Sequence, residues 1–400
     1  MVEGLLLVLI VAIAVGALPP FNMNRATIAL GGTVVLLVLG VIPLQQAFTA
    51  IDAGTLTLLF AMMILIGHLR LGGFFDLVAG GLGRLSRTPK LLLLLVLLST
   101  AVLSALFIND TVVLMLTPLV AEITLAAGLN PIPFLIALAV SANIGSMVTP
   151  LGNPQNILIA NASGLGFLEF LSRLWLPALV SLGVAFLLLF LIFRKSLRPT
   201  PLTWHPAKKA HVYKPLLWKC LVAFGIMALG VVFHLGLTLS ALAGSALLLF
   251  TRRLKPEKVF KLVDWNLLVF FAALFVIIRA LESTATFQTI LAWGKPLVEA
   301  NLPLLSGLSA VLSNLISNVP AVMVLKPLVP GFAHPDQAWI ALAAATTLAG
   351  NLTLFGSVAN LIVAESARHY GVHLKFRTYL LVGFPLAVIS LVLTTLWLMV

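Results

Sequence analysis

A succession of long, uninterrupted apolar stretches constrains the fold of this sequence more than any other feature. Examples are residues 55–79, 91–108, 174–193 and 380–400. A membrane-spanning helix needs roughly 20 apolar residues, so a chain of this length predicts about a dozen membrane segments. A closed barrel would instead show alternating polarity over segments of about ten residues, whereas these stretches are continuous and rich in leucine. We therefore predict an all-α polytopic membrane protein. Helices satisfy their own backbone hydrogen bonds, and lipid offers no hydrogen-bond partner to N–H and C=O groups that stay unpaired.

Composition agrees with this prediction and excludes several other classes of protein. Hydrophobic residues make up 61% of the chain and charged residues 9%, whereas soluble domains contain about 45–50% and 25%. The net charge of +12 comes from cations placed between apolar stretches, so we predict the lipid bilayer, and no nucleic acid, as a partner. The single cysteine, Cys220, excludes a disulfide framework. The first 20 residues contain Glu3 and no basic residue, which favours a retained first span over a signal peptide.

The chain also contains an internal repeat, because three blocks recur in the same order at nearly the same spacing. The first repeat is predicted at residues 1–195 and the second at 214–400, with a polar cytoplasmic linker at 196–213. The paired blocks are 52–66 with 264–278, 103–120 with 312–329, and 149–158 with 353–362.

Each repeat is predicted to contain a re-entrant helical hairpin, at residues 90–128 and 301–330. In the second hairpin the descending leg, residues 321–329, would reach only about 13 Å, against a hydrocarbon core of about 30 Å. Such a leg cannot cross the membrane, so the polar tip should lie near mid-depth.

Each repeat is also predicted to contain a broken transmembrane helix, at residues 132–170 and 337–367. The segment TPLGNP at 149–154 places two prolines and a glycine inside an apolar span. Broken backbone survives at this depth only where protein or a water-filled cavity satisfies it. A simple proline kink is the structural alternative, but a corresponding break at 353–360 favours a binding loop.

The distribution of positive charge predicts the orientation. If both hairpins return to their starting side, each repeat crosses the membrane an odd number of times and the second repeat is inverted. With the N-terminus outside, most of the 24 lysines and arginines fall on the cytoplasmic side. The positive-inside rule then predicts that both termini are non-cytoplasmic, in the cell inner (plasma) membrane.

Four motifs resemble the ion transporter superfamily, and more narrowly its citrate/arsenite permease branch of bacterial inner-membrane anion transporters, related to dicarboxylate/sodium symporters. Inverted repeats with broken helices are the general plan of secondary transporters. The resemblance implies alternating access, with hairpins and broken helices as the moving region, and a scaffold that often forms a homodimer. The motifs are FINDTVVLMLTPLV (107–120), SANIGSMVTPLGNPQNILI (141–159), LISNVPAVMVL (315–325) and GNLTLFGSVANLIVAE (350–365).

The same resemblance implies a substrate site between two hairpin tips, flanked by two cation-coupling sites. The coupling ions would be sodium or protons, and no other cofactor or metal is expected. The implied substrate-binding residues are Asn109, Thr111, Asn153, Pro154, Asn318 and Ser357. The implied coupling residues are Ser104, Asn109, Asp110 and Gly152 in the first repeat, and Ser313, Ser317, Asn318 and Gly356 in the second.

Asp110 is the strongest single candidate, because a carboxyl group at mid-depth usually marks an ion or proton path. It could exchange a proton, or it could stay ionised as a cation ligand. The alternative to a functional role is a structural one, in which the Asp110 side chain caps the N-terminus of the following helix. For Asp52 and Asp264 capping is the favoured role, and Arg279 and Glu282 are predicted to pair across one helical turn.

These residues favour an ion-coupled secondary active transporter of a small anion or oxyanion, either a carboxylate or an inorganic species. Two alternatives of the same class are a proton-coupled arsenite or metalloid efflux antiporter and a sodium/proton antiporter. A channel or an intramembrane enzyme is a remote alternative, since no metalloprotease, nucleophile-elbow or Walker motif is present. We therefore predict a transporter rather than an enzyme.

Overall fold

The structure is a computed structural model that describes residues 2–16, 23–198, 212–250, 255–298 and 301–400. All regular elements in these ranges are helices, which confirms the predicted all-α class. Seven of the described helices are long and apolar enough to cross a membrane, and five further apolar helices are shorter. Most of the predicted linker, residues 199–211, and the cations Arg252 and Arg253 lie outside the described residues.

The first half of the chain contains ten helices among its described residues. Their starts follow local capping signals: Asn24 and Thr27 form a capping box ahead of α2, and Asp52 accepts the Thr55 amide at 2.9 Å ahead of α4. The helices are α1 (Val2–Val15), α2 (Arg25–Val38), α3 (Leu44–Ala50), α4 (Ala53–Leu71), α5 (Phe74–Leu85), α6 (Pro89–Leu106), α7 (Asn109–Ala126), α8 (Ile132–Ser146), α9 (Pro154–Ser163) and α10 (Phe167–Ile192).

The second half contains ten α-helices and one 3₁₀ helix among its described residues. Asp264 caps α14 by accepting the Leu267 amide at 3.0 Å, so the predicted capping role of both aspartates is confirmed. The helices are α11 (Lys214–Val232), α12 (Leu237–Leu249), α13 (Pro256–Phe260), α14 (Trp265–Glu282), α15 (Ala285–Val298), α16 (Leu302–Ile316), α17 (Asn318–Leu325), the 3₁₀ helix Lys326–Gly331, α18 (Pro335–Ala349), α19 (Val358–Arg368) and α20 (Phe376–Leu398).

Two apolar stretches are divided more finely than their hydropathy predicts. The stretch 55–79 splits at Gly72 and Gly73, and the positive φ of 77° at Gly73 turns the chain before α5. Similarly, α9 ends at Ser163, ahead of the predicted boundary at residue 170, because Gly164 adopts a left-handed φ of 75°. Apolar composition continues through both turns, so hydropathy alone does not reveal them.

Helices from the two halves of the sequence pack against one another in matching pairs. Helix α2 lies on α14 and α4 lies on α12, while α10 packs against α20. Within each half, the helix before the tip packs along the helix before the break: α6 on α8, and α16 on α18. Two further contacts cross between the halves, with α7 against α19 and α17 against α9. These contacts bring the two tips and the two breaks together in the interior.

The two tips and the two breaks are short interruptions between apolar helices. Phe107 and Ile108 separate α6 from α7, and Ser317 alone separates α16 from α17. Ser317 has a positive φ of 78°, which is unusual for a residue other than glycine. Helix α17 has eight residues and therefore a length of about 12 Å. Residues 147–153 interrupt α8 and α9, and residues 350–357 interrupt α18 and α19.

Candidate functional site

Each break is held by one buried asparagine that replaces the missing helical hydrogen bonds. Asn156 Nδ2 donates to the carbonyls of Ser146 and Thr149 at 3.1 and 3.0 Å. Asn360 Nδ2 donates to the carbonyls of Gly350 and Thr353 at 2.7 and 3.2 Å. Both side chains are completely buried. The unwound backbone is therefore satisfied by protein rather than by water, as buried peptide groups require.

Glycine at the two breaks allows the backbone to approach the hairpins closely. A Cβ on Gly152 would lie 2.7 Å from the Ser104 carbonyl and still closer to Ser146. A Cβ on Gly356 would lie 2.7 Å from Asn314 Oδ1. Both predicted glycines therefore have a steric role. The requirement is stricter at Gly152, where a Cβ would overlap backbone atoms, than at Gly356, where the closest atom is the end of the Asn314 side chain.

The first tip is fastened to the first break by backbone and side-chain hydrogen bonds. The Asn109 amide donates to the Gly152 carbonyl at 2.9 Å. Asn109 Oδ1 accepts the Asp110 amide at 2.9 Å. The N-cap of α7 is Ile108, so the structural alternative for Asp110, a capping side chain, is not what the structure shows. The carboxyl group remains available to the cavity.

The second tip is held within its own hairpin and against the second break. Ser313 Oγ donates to Asn318 Oδ1 at 2.6 Å, and Asn314 Nδ2 donates to the Ala349 carbonyl at 2.6 Å. Thr353 Oγ1 donates to Asn314 Oδ1 at 3.2 Å. These bonds position Asn318 beside the cavity described next.

A cavity of about 420 Å³ lies between the two tips and the two breaks. Its inner wall contains the buried residues Asn109 and Ser357, whereas Asn24, Asp264 and Asn266 are exposed. The cavity therefore extends from the surface, at the starts of α2 and α14, to the hairpin tips. Six residues predicted for the substrate or coupling sites line it: Asn109, Asp110, Pro154, Ser317, Asn318 and Ser357.

The other predicted site residues lie behind this wall or beside a second cavity. Thr111 lines a smaller cavity of about 110 Å³, which it shares with Asp110. Asn153 is buried, caps α9 through the Asn156 amide at 2.9 Å and donates to Thr347 Oγ1 at 3.1 Å. None of the remaining four lines either of these two cavities: Ser104, Gly152, Ser313 and Gly356.

The cavity carries a small number of charged side chains. Arg25, Asp110 and Asp264 are the charged residues among its described lining. The Asp110 carboxyl group interacts electrostatically with both Arg25 and Asp264. If all three groups are ionised, the lining is net negative by one charge, so the cavity does not present the excess of positive charge that a polyanion would require.

The two implied cation sites differ in whether their serine hydroxyl already has a hydrogen-bond partner. Ser104 Oγ is buried and has no hydrogen-bond partner, so its hydroxyl could accept a cation close to Gly152 and Asn109. In the second half the equivalent hydroxyl, on Ser313, is already bonded to Asn318. Among the described residues no cluster of three or more histidine, cysteine or acidic side chains could hold a metal ion. A hydroxyl oxygen such as that of Ser104 is a type of ligand that suits a hard cation such as sodium.

Several cavity residues were not predicted from the sequence, chiefly Arg25, Gln155, Asp264 and Asn266. The sequence predicts Arg25 as one of the cytoplasmic cations and Asp264 as a helix cap only. The capping box at Asn24 and Thr27 could have placed Arg25 at the first position of a helix. That this helix start faces the tips depends on the packing of α2 against α14, which no local pattern records.

Two acidic side chains, those of Glu282 and Glu122, form contacts elsewhere in the structure. Arg279 and Glu282 form the predicted ion pair, with 3.5 Å between Nη1 and Oε2. Glu122 accepts a hydrogen bond from the Tyr370 hydroxyl at 3.2 Å. Both contacts lie away from the cavity of about 420 Å³ and do not contribute to it.

Comparison with known proteins gives consistent matches over nearly the whole chain. The profile of the family described as "Citrate transporter" (CitMHS) matches residues 6–349. A Mycobacterium tuberculosis protein, "Uncharacterized transporter Rv2685", is 30% identical over 94% of both chains. The rice "Silicon efflux transporter LSI3" is 30% identical and covers 92% of this chain and 91% of its own. Escherichia coli "Inner membrane protein YbiR" is 31% identical over 85% and 89%.

A solved structure is also similar. The crystal structure of the Alcanivorax borkumensis YdaH transporter matches with a TM-score of 0.58, covering 99% of this chain and 96% of its own. The sequence identity is 17%, so this likeness concerns the fold.

Proposed function

The chain belongs to the citrate transporter family (CitMHS) and is a multi-pass membrane transporter rather than an enzyme; from this premise we propose that it is a proton-coupled secondary active transporter. The proposed solute is a small hydroxylated species, exported by alternating access. The observation that carries this proposal is Asp110, a carboxyl group at a hairpin tip that lines the cavity between the tips and breaks.

The charges of the cavity favour a neutral solute. The described lining contains two carboxyl groups and one guanidinium group, and a solute with several negative charges would be repelled by the net charge. The amides of Asn109 and Asn318 and the hydroxyl of Ser357 offer hydrogen-bond donors and acceptors to an uncharged hydroxylated solute. The name of the rice relative, a silicon efflux transporter, is compatible with such a solute.

We further propose that two inverted repeats build the transporter. The helix order supports this, because α1–α10 and α11–α20 correspond one to one in position and in the placement of tip and break. The contacts support it as well, since α2 on α14 corresponds to α12 on α4. With both termini outside, the cavity entrance at the starts of α2 and α14 faces the cytoplasm.

In the proposed cycle, Asp110 takes up a proton when the tips face outward and releases it when they face inward. A single carboxyl group carries one proton per cycle. Water and the Arg25 guanidinium stabilise the ionised form in the inward-facing cavity, whereas the like charge of Asp264 opposes it. The solute then binds from the cytoplasm and leaves on the outer side, so proton entry drives its export.

The first test replaces Asp110 with asparagine, which has the same shape but no titratable proton. We expect Asp110→Asn to reduce pH-driven transport of silicic or arsenous acid in proteoliposomes to the level of empty vesicles. Solute counterflow at equal pH on both sides should persist, because binding does not need the proton. Loss of both activities in a correctly folded variant would contradict the assigned role. An unchanged pH-driven rate would contradict proton coupling through this residue.

A carboxylate or inorganic oxyanion is the second candidate solute, favoured by Arg25. Arg25 lies in the cavity, and the N-termini of α7, α9, α17 and α19 begin at the tips and breaks, where helix dipoles favour negative charge. The same proteoliposomes, loaded in turn with silicic acid, citrate and phosphate, separate the candidates. Exchange of an uncharged hydroxylated solute, such as silicic acid, for a proton moves net charge and generates a membrane potential. Counterflow by citrate alone would establish the carboxylate assignment.

Sodium coupling is a third candidate, favoured by the unpartnered hydroxyl of Ser104. It predicts transport that follows an imposed sodium gradient at constant pH. Proton coupling predicts no response to that gradient, so one measurement distinguishes the two coupling ions.

A further inference from the structure

One buried side chain, Asn143, connects the first hairpin tip to the second break. It lies on α8, is 1% exposed and does not line the cavity. Its Oδ1 accepts hydrogen bonds from Asn109 Nδ2 at 3.2 Å and from Ser357 Oγ at 3.1 Å. Its Nδ2 donates to Asn351 Oδ1 at 2.8 Å and to Asn360 Oδ1 at 3.2 Å.

The hydrogen-bonding capacity of this amide is completely used. A carboxamide has two donor hydrogens and two acceptor lone pairs, and Asn143 employs all four toward residues of both halves of the chain. A buried amide with every bond made has one favoured orientation, because rotation would leave donors and acceptors unpaired. Asn143 therefore fixes the position of its four partners relative to one another.

The bonds form a short chain between the solute side and the proton side of the cavity. Ser357 lines the cavity and donates to Asn143 Oδ1, and the same oxygen accepts from Asn109. Asn109 Oδ1 in turn accepts a hydrogen bond from the backbone amide of Asp110 at 2.9 Å. Two amide side chains thus separate the Ser357 hydroxyl from the residue that carries the proposed proton.

The counterpart of Asn143 in the second half has no such connection to a tip. Thr347 lies at the corresponding place on α18 and accepts from Asn153 and Gln155 at 3.1 and 3.2 Å. Its own hydroxyl donates to the Ala343 carbonyl of its helix at 2.7 Å. The second tip, Asn318, is instead bonded to Ser313 of its own hairpin. Among the residues that the structure describes, the link between break and opposite tip therefore exists on one side of the site, the side that carries Asp110.

We propose that Asn143 is a positioning residue that couples solute occupancy at Ser357 to the geometry of the Asn109–Asp110 tip. This inference rests on the proposed proton-coupled function. When a solute hydroxyl competes for the Ser357 hydroxyl, Asn143 Oδ1 loses one of its two donors, and its bond to Asn109 strengthens because the oxygen is no longer shared between two donors. Binding at the second break is thereby transmitted to the first tip, and proton movement without solute is suppressed.

The groups around Asp110 that bear on this proton are few. Arg25 on α2 and Asp264 at the start of α14 share the main cavity with it, and Arg70 on α4 shares the smaller one. The residues that α19 and α9 contribute to these linings are uncharged: Pro154, Gln155, Ser357, Val358, Leu361 and Ile362. The proposal concerns the position of the tip, and these charged groups stay unchanged in the variants below.

The test replaces Asn143 with leucine, which has a similar volume and no hydrogen-bonding group. In proteoliposomes with an imposed pH gradient and silicic acid, we measure the proton flux with and without solute. The expected result for Asn143→Leu is a rise of about tenfold in solute-independent proton flux relative to solute-dependent flux, equivalent to about 1.4 kcal/mol of lost coupling. A merely structural role would lower both fluxes in parallel and leave their ratio unchanged, which would overturn the proposal.

Two further variants keep the test decisive. Thr347→Val is the matched control on α18: it removes the acceptor for Asn153 and Gln155 but touches no tip, so its flux ratio should equal that of the unmodified protein. Asn143→Asp preserves the acceptor oxygen for Asn109 and Ser357 and serves if the leucine variant does not fold. Its ratio should lie between those of Asn143→Leu and the unmodified protein, and a ratio at or above that of Asn143→Leu would overturn the proposal.

Failure of this inference is distinguishable from failure of the proposed function. If the unmodified protein shows no proton flux linked to any tested solute, the proton-coupled function itself is wrong. If the unmodified protein is coupled and Asn143→Leu is equally coupled, only the role of Asn143 is wrong.

Discussion

Buried asparagine amides are the residues that make two interrupted helices compatible with an apolar interior. Asn156 donates to carbonyls of the first break, and Asn360 does the same for the second. Since each carbonyl would otherwise be buried without a partner, each amide removes several desolvation costs at once.

Asn156→Ala is therefore expected to be strongly destabilising. It leaves several break carbonyls without donors, so the loss should exceed the roughly 1–3 kcal/mol associated with one unsatisfied buried group. Thermal unfolding of the detergent-solubilised protein measures the change. Asn161→Ala is the control, since Asn161 lies on the same helix but is exposed and bonds only to Thr55 Oγ1, at 3.0 Å. Equal melting temperatures for the two variants would contradict the role of Asn156.

At the level of secondary-structure elements, the close contact between each hairpin and each break determines the shape of the site. The glycines of the breaks allow this contact, because a Cβ on Gly152 or Gly356 would overlap hairpin atoms. The tip of the first hairpin then bonds to the Gly152 carbonyl at 2.9 Å through the Asn109 amide. Tip and break therefore behave as one packed unit rather than as independent loops.

Gly152→Ala is expected to separate the first tip from its break. The added methyl group overlaps the Ser104 and Ser146 carbonyls, and overpacking of this kind costs about 1–3 kcal/mol. Solute binding should weaken together with stability, as measured by solute-dependent shifts in melting temperature. Gly183→Ala is the control, because nothing lies within 4 Å of a Cβ at that position on α10. A Gly152→Ala protein with unaltered solute binding would contradict the packing argument.

At the level of the whole molecule, the proposed orientation follows from charge rather than from packing. The helices themselves would pack identically in either orientation, since nothing in their contacts distinguishes the two sides of a bilayer. Positive residues between spans supply that distinction through the positive-inside rule. A homodimer likewise remains a prediction from the family resemblance, to be tested by the mass of the purified protein–detergent complex.

Cysteine labelling tests the orientation directly. The single cysteine, Cys220, is buried and can be replaced by serine to give a background without reactive thiols. In intact bacterial cells, a membrane-impermeant maleimide that passes the outer membrane should label Val400→Cys but not Lys195→Cys, both at exposed positions. Permeabilised cells should label both. Labelling of Lys195→Cys in intact cells would contradict the proposal that both termini are non-cytoplasmic.

The sequence by itself determined the membrane class, the helical content, the positions of the tips and breaks, and six of the residues that line the cavity. It could do so because hydropathy, proline, glycine and helix-capping signals act over a few residues and are therefore visible in a local pattern. Only the tertiary structure decided that Arg25, Gln155, Asp264 and Asn266 join the cavity, and that Asn143 joins one tip to the opposite break. Those contacts bring together residues more than three hundred positions apart, such as Arg25 and Ser357, and their pairing depends on helix packing, which is set by the whole chain.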